Sequence, residues 1–286
     1  MGKKIFAAIM LFATSFLTPS FADLNVIYPA MDERPVENYG YKVLALALEK
    51  SGRKYHLSIF TRQMNAQRAR KSIEDGTISV IDVGSNVEFE KRFSAVYFPI
   101  DRGLSGYRLF VINKKSAPDF AVIKNLSDLQ KKVAGQGPGW ADVKVLEDAG
   151  IKVETGEFVS LFRMVDKGRF DFYPLGIEEI YNLLDKYKVN CPDSIIENTL
   201  ALHYPFARLF FVKKENKELH DALFEGLEKA FADGSFQALM NNDASFKEEQ
   251  LRANLKDRTI IEIDNPNLST QFKKIPAKYF MKLVPN

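Results

Sequence analysis

Polar and aromatic side chains of this 286-residue sequence directly follow apolar runs, at positions where a small molecule could be bound. The turn from Gly135 to Trp140 precedes a helical segment, so its free N–H groups are suited to bind an anion or a polar ligand. Gln136, Gly137 and Trp140 are therefore candidate ligand-binding residues, and core packing is the alternative role for Trp140. The turn is not a dinucleotide motif, because Trp140 stands where that motif requires its third glycine.

Two further loops carry candidate residues. Ser85 and Asn86 directly follow a nearly continuous apolar run, where their side chains and backbone could reach a cleft. Both residue types also favour turns, which is the alternative explanation. Tyr28, Asp32 and Arg34 lie at and after the end of the first apolar run.

The residues that usually carry nucleophilic catalysis are not grouped in this sequence. His56, His203 and His220 are far apart, and Cys191 has no histidine nearby. A lone cysteine cannot form an internal disulfide, and no cysteine–histidine pair has zinc-site spacing. We therefore expect no catalytic residue, no metal and no cofactor, and a protein that is not an enzyme.

Composition indicates an ordinary globular protein with a partner other than nucleic acid. Hydrophobic residues make up 46% of the chain, which is enough for a core, and the length allows two domains. The formal net charge is only +3, which gives no reason to expect nucleic-acid binding.

The first 22 residues have the pattern of a secretory signal peptide. Lys3 and Lys4 precede an apolar run from Ile5 to Leu17, and Ser20-x-Ala22 is a small-x-small cleavage site. The apolar run is too short to anchor the chain across a bilayer. We expect cleavage after Ala22 and a periplasmic protein, and a buried N-terminal helix is the alternative.

The elements that must position the candidate residues alternate in type. Strand, helix, strand, helix and strand are predicted at residues 25–28, 36–52, 55–60, 66–75 and 78–83. A second series is predicted as a strand at 132–134, helices at 141–149 and 158–167, a strand at 170–174 and a helix at 177–187. It is followed by an extended stretch at 199–212, a helix at 219–233 and a strand at 259–263. A helix is also expected to begin at Ser127, which has the form of a capping box with Gln130. Such alternation predicts an α/β fold with mainly parallel sheets flanked by helices.

The sequence resembles the bacterial extracellular solute-binding proteins of family 3, the amino-acid-type periplasmic binding proteins. Four stretches in the family's order carry the resemblance, within about residues 24–242: Asn25 to Gly52; Asp75 to Asp82 with Arg92 and Phe98-Pro99-Ile100; Leu126 to Gly137; and Gly168 to Asp171 with Phe206 to Lys213 and Leu219 to Gly234. The tail at 243–286 is matched less well.

The resemblance implies two lobes joined by two crossover hinge strands, with the ligand between them. The first lobe would contain residues 23–108 and 207–286, and the second 109–206. The function implied is capture of a small polar or anionic molecule by a monomer, for an inner-membrane ABC permease. A ligand-sensing component of a membrane signalling receptor is one alternative. A dehydratase-like exported enzyme using Glu178 and Glu179 is another.

The resemblance also implies roles for single residues. Arg92 matches the family's carboxylate-binding arginine, and a solvent-exposed charge is the alternative. Tyr28 stands where an aromatic platform for the ligand is common. The aspartate that usually binds the ammonium of an amino acid is replaced by Gly176, with Glu178 and Glu179 nearby but shifted along the chain. A standard amino-acid ligand is therefore not implied, and Tyr173 is offered as a cleft residue instead.

Overall fold

The computed structural model describes residues 23–31, 37–243, 246 and 252–281. The expected signal peptide at 1–22 and the candidate residues Asp32 and Arg34 lie outside the described residues. No helix among the described residues is long and apolar enough to cross a membrane.

The first lobe contains five strands in two hydrogen-bonded groups. Its elements are β1 (Leu24–Met31), α1 (Tyr39–Ser51), β2 (Tyr55–Met64), α2 (Ala66–Glu74), β3 (Val80–Gly84), α3 (Val87–Arg92) and β4 (Ser94–Val96), together with β11 (Arg208–Val212), α9 (Lys217–Ala232) and α10 (Ser235–Asn242) from later in the chain. β1 pairs with β2 in parallel, and β11 lies antiparallel between β3 and β4. Ser79 connects the two groups by donating its backbone N–H to the Ile27 carbonyl at 2.9 Å.

The second lobe is one seven-stranded sheet with helices packed on it. Its elements are β5 (Tyr107–Asn113), α4 (Ala117–Ala121), α5 (Leu126–Leu129), β6 (Val133–Gln136), α6 (Ala141–Asp148), β7 (Lys152–Thr155), α7 (Phe158–Asp166), β8 (Phe172–Gly176), α8 (Ile180–Lys186), β9 (Ser194–Ile196), β10 (Leu200–His203) and β12 (Thr259–Glu262). The order is β12-β10-β5-β8-β6-β7, with β9 paired to β5. The sheet is mixed because β5 runs antiparallel to β8, β9 and β10.

Helix ends follow local chemistry. Asn38 accepts a hydrogen bond from the Tyr41 backbone N–H at the start of α1, and Gly52 ends that helix with a φ of 76°. The expected capping box at Ser127 is not the start of α5. Asn125 is the capping residue, because its side-chain oxygen accepts from the Asp128 backbone N–H at 3.1 Å.

Two chain segments cross between the lobes, as expected, and they lie side by side. The first runs from β4 into β5, and the second connects β10 with β11. The Tyr204 backbone N–H donates to the Gly106 carbonyl at 3.2 Å, and the Ile100 N–H donates to the Arg208 carbonyl at 3.0 Å. These bonds hold the two crossing segments together at the hinge.

The C-terminal segment makes a third crossing, which the sequence did not predict. β12 pairs in parallel with β10, from Leu200 opposite Thr259 to His203 opposite Glu262. This strand therefore belongs to the sheet of the second lobe, although the resemblance placed residues 207–286 with the first. The physical reason is that β10 would otherwise be an edge strand with unpaired backbone groups, and β12 satisfies them.

After β12 the chain returns to the first lobe, and Asn267 contacts both lobes on the way. Its carbonyl accepts from the Val87 N–H at 3.0 Å, at the start of α3. Its side-chain amide donates to Asp148 Oδ2 at 2.9 Å, at the end of α6. Phe272 and Tyr279 are then buried against the first lobe. The C-terminal segment is therefore a strap that connects the lobes beside the hinge.

Replacing Asn267 by alanine is expected to weaken the arrangement in which the lobes are held together. The lost hydrogen bond is exposed to solvent and therefore contributes little, so ligand affinity should fall by about twofold if ligand binding requires this arrangement. Small-angle X-ray scattering should show a larger radius of gyration without ligand. Lys144→Ala is the matched control, because Lys144 bonds the same Asp148 within α6 at 2.6 Å and does not cross between lobes. Equal scattering curves for Asn267→Ala and the wild type would contradict this role.

Candidate ligand-binding cleft

A cavity of about 110 Å³ lies between the two lobes at the hinge. Both lobes and both crossing segments line it: Met31, Arg70, Val83, Gly84, Asn86, Phe89 and Arg208 from the first lobe, Trp140, Ala141, Asp142, Phe158, Glu178 and Glu179 from the second, and Ser105, Arg108 and Phe206 from the crossing region. The cavity volume is several times the volume of about 10–15 Å³ that a single water molecule needs. A small organic molecule therefore fits, and it would contact both lobes at once.

Arg208 provides a guanidinium group on the first-lobe side of the cavity. It forms an ion pair with the buried Asp82, and Tyr28 also donates its hydroxyl to that carboxylate. Burial lowers the pKa of Arg208, but the charge and hydrogen bond of Asp82, together with Tyr28 and Asp101, outweigh this and hold the pKa above its ordinary value. Its Nε atom is buried and has no hydrogen-bond partner. An unpaired N–H of a charged group is costly to bury, so a ligand carboxylate or other anion is a suitable partner for it.

Arg108 is the second buried cation of the cavity, and the protein itself satisfies it. Its guanidinium forms an ion pair with Asp142 at 2.6 Å, and its Nε donates to the Tyr204 hydroxyl at 3.0 Å. Tyr204 in turn donates to Asp142, and the Phe206 ring lies 5.1 Å from the guanidinium carbon. This network connects β5, α6 and the second crossing segment. Its main role is therefore to hold these three elements, which line the cavity, in fixed positions.

Glu178 presents a carboxylate oxygen to the cavity from the second lobe. The residue is only 7% exposed. Its Oε1 accepts a hydrogen bond from the Ser105 hydroxyl at 2.6 Å, while its Oε2 is buried without a hydrogen-bond partner. A buried carboxylate oxygen in this situation is suited to a cationic group of a ligand.

Glu178 also occupies the space that a side chain at position 176 would need. A Cβ atom added to Gly176 would lie 2.7 Å from the Glu178 carboxyl carbon. The absence of a side chain on Gly176 therefore leaves room for the carboxylate of Glu178, two residues further along the chain. The carboxylate whose absence the sequence indicated at position 176 is present in nearly the same place.

Aromatic rings form the apolar walls of the cavity. Trp140 and Phe158 have ring centroids 6.0 Å apart, and Phe89 and Phe206 contribute further faces. Gly137 is required here, because a Cβ atom on it would lie 2.6 Å from the Trp140 indole nitrogen. The walls can pack on the apolar part of a ligand while the charged groups hold its ends.

Arg70 joins the two lobes at the edge of the cavity. Its guanidinium lies 5.4 Å from the centroid of the Phe89 ring in the first lobe, and it donates to the Gly139 carbonyl in the second. Burial, followed by the charge of Arg92, lowers the pKa of Arg70 below its ordinary value. The glycine-rich turn is thus held to the first lobe through its backbone.

The structure brings two of the predicted site residues, Asn86 and Trp140, to the cavity wall. Three others lie close behind it. Ser85 donates to Glu90 at 2.6 Å, Gln136 donates to the Pro174 carbonyl at 3.3 Å, and Gly137 accommodates Trp140. These residues support the loops that line the cavity and are not among its lining residues.

The structure places Tyr28, Tyr173 and Arg92 away from the cavity. Tyr28 is fully buried because its hydroxyl bonds Asp82, and Tyr173 is fully buried against Phe162. Arg92 is half-exposed on the surface of the first lobe, where its Nε donates to Glu74 at 3.0 Å. The role that the resemblance implies for Arg92 requires access to the cleft, and this ion pair holds its side chain elsewhere.

The sequence analysis did not select the charged residues that line the cavity, apart from Glu178 and Glu179. Arg108, Asp142 and Arg208 are far apart in the sequence and belong to no motif. One signal was available, because Arg108 and Arg208 each stand at the polar end of an apolar run next to an expected crossing. Such a position indicates a cavity residue only when the location of the hinge is known.

Comparisons with known proteins agree with this architecture. No family model and no curated protein matches the chain. An ancestral arginine-binding protein bound to arginine has a TM-score of 0.58 and 19% sequence identity, covering 76% of this chain and 96% of its own. AbpA, an amino acid ABC transporter substrate-binding protein from Streptococcus pneumoniae bound to L-arginine, has a TM-score of 0.57 and 16% identity, covering 79% and 95%.

A histidine kinase sensor domain with similarity to periplasmic binding proteins is also similar, with a TM-score of 0.57 and 12% identity over 75% of this chain and 93% of its own. The chain has a two-lobed binding-protein fold. The resemblance is therefore confirmed for the fold. About a quarter of this chain has no counterpart in these structures, although they are matched over nearly their whole length.

Proposed function

We propose that this protein is a periplasmic solute-binding protein that captures a small zwitterionic molecule between its lobes. The observation that carries the proposal is a pair of buried, unpartnered atoms of opposite charge at one cavity, Arg208 Nε and Glu178 Oε2. The first belongs to β11 of the first lobe, and the second follows β8 of the second lobe. A ligand with a carboxylate and an ammonium group would satisfy both atoms and draw the lobes together.

The same arrangement explains why closure depends on ligand. Each of the two atoms keeps a desolvation cost when the cavity holds no ligand, and only a molecule with both charges removes both costs. A ligand that binds the closed form in this way shifts the hinge toward closure. The closed form is the one that a membrane permease would recognise.

Export and a permease partner are part of this proposal. The pattern of residues 1–22 supports export, and the similar AbpA protein is described as a component of an amino acid ABC transporter. We propose a monomer that acts in the periplasm and delivers its ligand to an inner-membrane ABC permease.

The similar sensor domain supports a second candidate, in which the closed form docks on a signalling receptor. A pull-down with membranes of the host would identify a permease or a receptor kinase as the partner.

The ligand class is tested by thermal unfolding with the standard L-amino acids, using protein stripped of co-purified ligand. A ligand at 100 times its Kd should stabilise the protein by about 2.7 kcal/mol. N-acetyl-L-glutamine and 4-aminobutanamide, which lack the ammonium and the carboxylate of L-glutamine, should each stabilise less than the best amino acid. Absence of any response across the panel would contradict a zwitterionic ligand.

Two variants locate the site. Glu178→Gln keeps the size of the side chain but removes its charge, so affinity for the best amino acid should fall by about tenfold or more. Arg92→Ala is the matched control, because Arg92 is paired with Glu74 outside the cavity, and its affinity should equal that of the wild type. If Arg92→Ala loses binding and Glu178→Gln retains it, the site is on the outer surface of the first lobe.

A further inference from the structure

Two carboxyl groups share one serine hydroxyl at the wall of the cavity. The Ser105 Oγ lies 2.6 Å from Glu178 Oε1 and is also within hydrogen-bonding distance of Asp101 Oδ2. Asp101 is fully buried at the hinge, and Glu178 is nearly so. Ser105 and Glu178 line the cavity, and the unpartnered Oε2 of Glu178 is the atom of this group that is suited to a ligand.

The hydrogen count of this group requires one additional proton. A serine hydroxyl carries a single hydrogen, so it can donate to only one of the two carboxylates. The other short contact is a hydrogen bond only if a carboxylic acid O–H donates to the Ser105 oxygen. Two ionised carboxylates around one hydroxyl would leave a close contact between oxygen atoms that both carry only lone pairs.

The groups around Asp101 act on its pKa in opposite directions. Asp101 accepts backbone N–H groups from Gly103, Ser105 and Arg208 at 3.1–3.2 Å, which favours its ionised form. Burial and the charge of Glu178 act in the opposite direction and raise the pKa of Asp101 above its ordinary value. The charged or titratable groups around the pair include Arg208 from β11, Arg108 from β5, Tyr204 from the second crossing segment, Asp142 from α6, Glu179 beside Glu178, and Tyr39 from α1, whose pKa is raised by burial and by the Asp101 charge.

Both nearby arginines already have acidic partners. Arg208 pairs with Asp82 and Arg108 pairs with Asp142. Neither arginine is therefore a counter-ion dedicated to this pair, although the Arg208 charge still acts to lower the pKa of Asp101. A proton is the simplest way for the group to lose its second negative charge while the cavity holds no ligand.

We propose that Asp101, Ser105 and Glu178 together hold one proton in the ligand-free protein, and that a cationic group of the ligand displaces it. The inference rests on the proposed function for the identity of the displacing group, an ammonium. The ammonium binds Glu178 Oε2 and compensates the second negative charge, so both carboxyl groups become ionised and the proton leaves to solvent. The Ser105 hydroxyl then keeps a hydrogen bond to only one carboxylate, and its contact with the other opens. One proton is released for each ligand bound, and no bond between heavy atoms forms or breaks.

The sign of the pH dependence follows from this exchange. The pair binds a proton more tightly without ligand than with it, so ligand binding is opposed at low pH. Affinity for an ammonium ligand should rise by up to about tenfold per pH unit while the proton is held, and it should become independent of pH once the ligand-free pair has lost that proton. A ligand that has no cationic group should not show this rise.

Infrared difference spectroscopy tests the stored proton without any ligand. At neutral pH the ligand-free wild type should show the carbonyl stretch of a protonated carboxylic acid, and Glu178→Gln should lose it. Glu74→Gln is the control that should retain the band, because Glu74 is half-exposed and outside the cavity. Asp101→Asn should also lose the band. If that variant does not fold, Ser105→Ala takes its place, and it should shift the frequency of the band. A wild type whose spectrum equals that of Glu178→Gln in this region would overturn the proposal.

Calorimetry tests the displacement, with L-glutamine as the probe. Titrations in two buffers of different ionisation enthalpy should show about one proton released per L-glutamine bound, and Glu178→Gln should release none. Binding with the same heat in both buffers would refute the exchange. If no amino acid of the panel stabilises the protein while the infrared band is present, the proposed ligand class fails and the stored proton stands. If another amino acid of the panel binds best, it replaces L-glutamine in the titrations.

Discussion

Replacing Arg208 by methionine is expected to abolish ligand binding and to destabilise the protein by about 3–5 kcal/mol. The binding loss follows from removal of a guanidinium group that lines the cavity and has a buried, unpartnered Nε. The stability loss has a separate cause. Asp82 is only 1% exposed and would keep its charge in the core with the Tyr28 hydroxyl as its remaining named partner. Breaking a buried ion pair on one side costs more than removing both charges.

A double variant separates the two effects of Arg208. Arg208→Met combined with Asp82→Asn removes both charges and keeps an acceptor for the Tyr28 hydroxyl, so it should be more stable than Arg208→Met alone. It should still fail to bind, because the Nε group is absent. Chemical denaturation measures the stability and calorimetry measures the binding. Recovery of binding in the double variant would show that Arg208 acts only on the fold.

Replacing Gly226 by alanine is expected to destabilise the first lobe by about 3 kcal/mol, at the upper end of the range for overpacking. Gly226 lies in α9 where this helix crosses α1, and a Cβ atom on it would lie 2.7 Å from the Ala47 carbonyl carbon and closer still to its oxygen. Backbone atoms cannot rotate away, so the two helices must separate. Helix propensity alone predicts the opposite, a gain of about 1 kcal/mol for alanine.

The neighbouring residue provides the control for this prediction. Glu225→Ala changes an exposed side chain in the same helix, whose contact with Arg53 is long at 3.4 Å, so stability should change by less than about 0.5 kcal/mol. Thermal unfolding of both variants distinguishes helix packing from helix propensity. An unfolding temperature of Gly226→Ala at or above that of the wild type would mean that α1 and α9 are not in close contact.

The elements near the chain start were predictable because their signals are local. The strand that became β1, the helix that became α1 and the stop at Gly52 all follow from apolar spacing and capping within a few residues. The same is true of α6 after its glycine-rich turn. The two-lobed arrangement could not be predicted from one local signal. Its prediction came from the order of several such stretches along the chain.

The candidate site was less predictable because it consists of residues from distant parts of the chain. Asn86 and Trp140 were accessible to sequence reasoning, since each directly follows a strand or a turn. Arg92 was expected to bind the ligand from its place in a motif, but the neighbouring helix supplies Glu74 as its partner. Glu178 is shifted along the chain from the position where the resemblance implies a carboxylate. The absence of a side chain on Gly176 leaves the space that its carboxylate occupies.

The sequence by itself determined the alternating α/β elements and the glycine positions that permit tight turns and close packing. Only the tertiary structure decided which charges meet at the cleft and which cancel one another. Whether an arginine binds a ligand depends on whether a carboxylate from another element already satisfies it, as Asp142 does for Arg108. The same holds for the strap, because β12 has a partner only where β10 leaves an edge unpaired. Such pairings depend on distance in space, and spacing along the chain does not encode them directly.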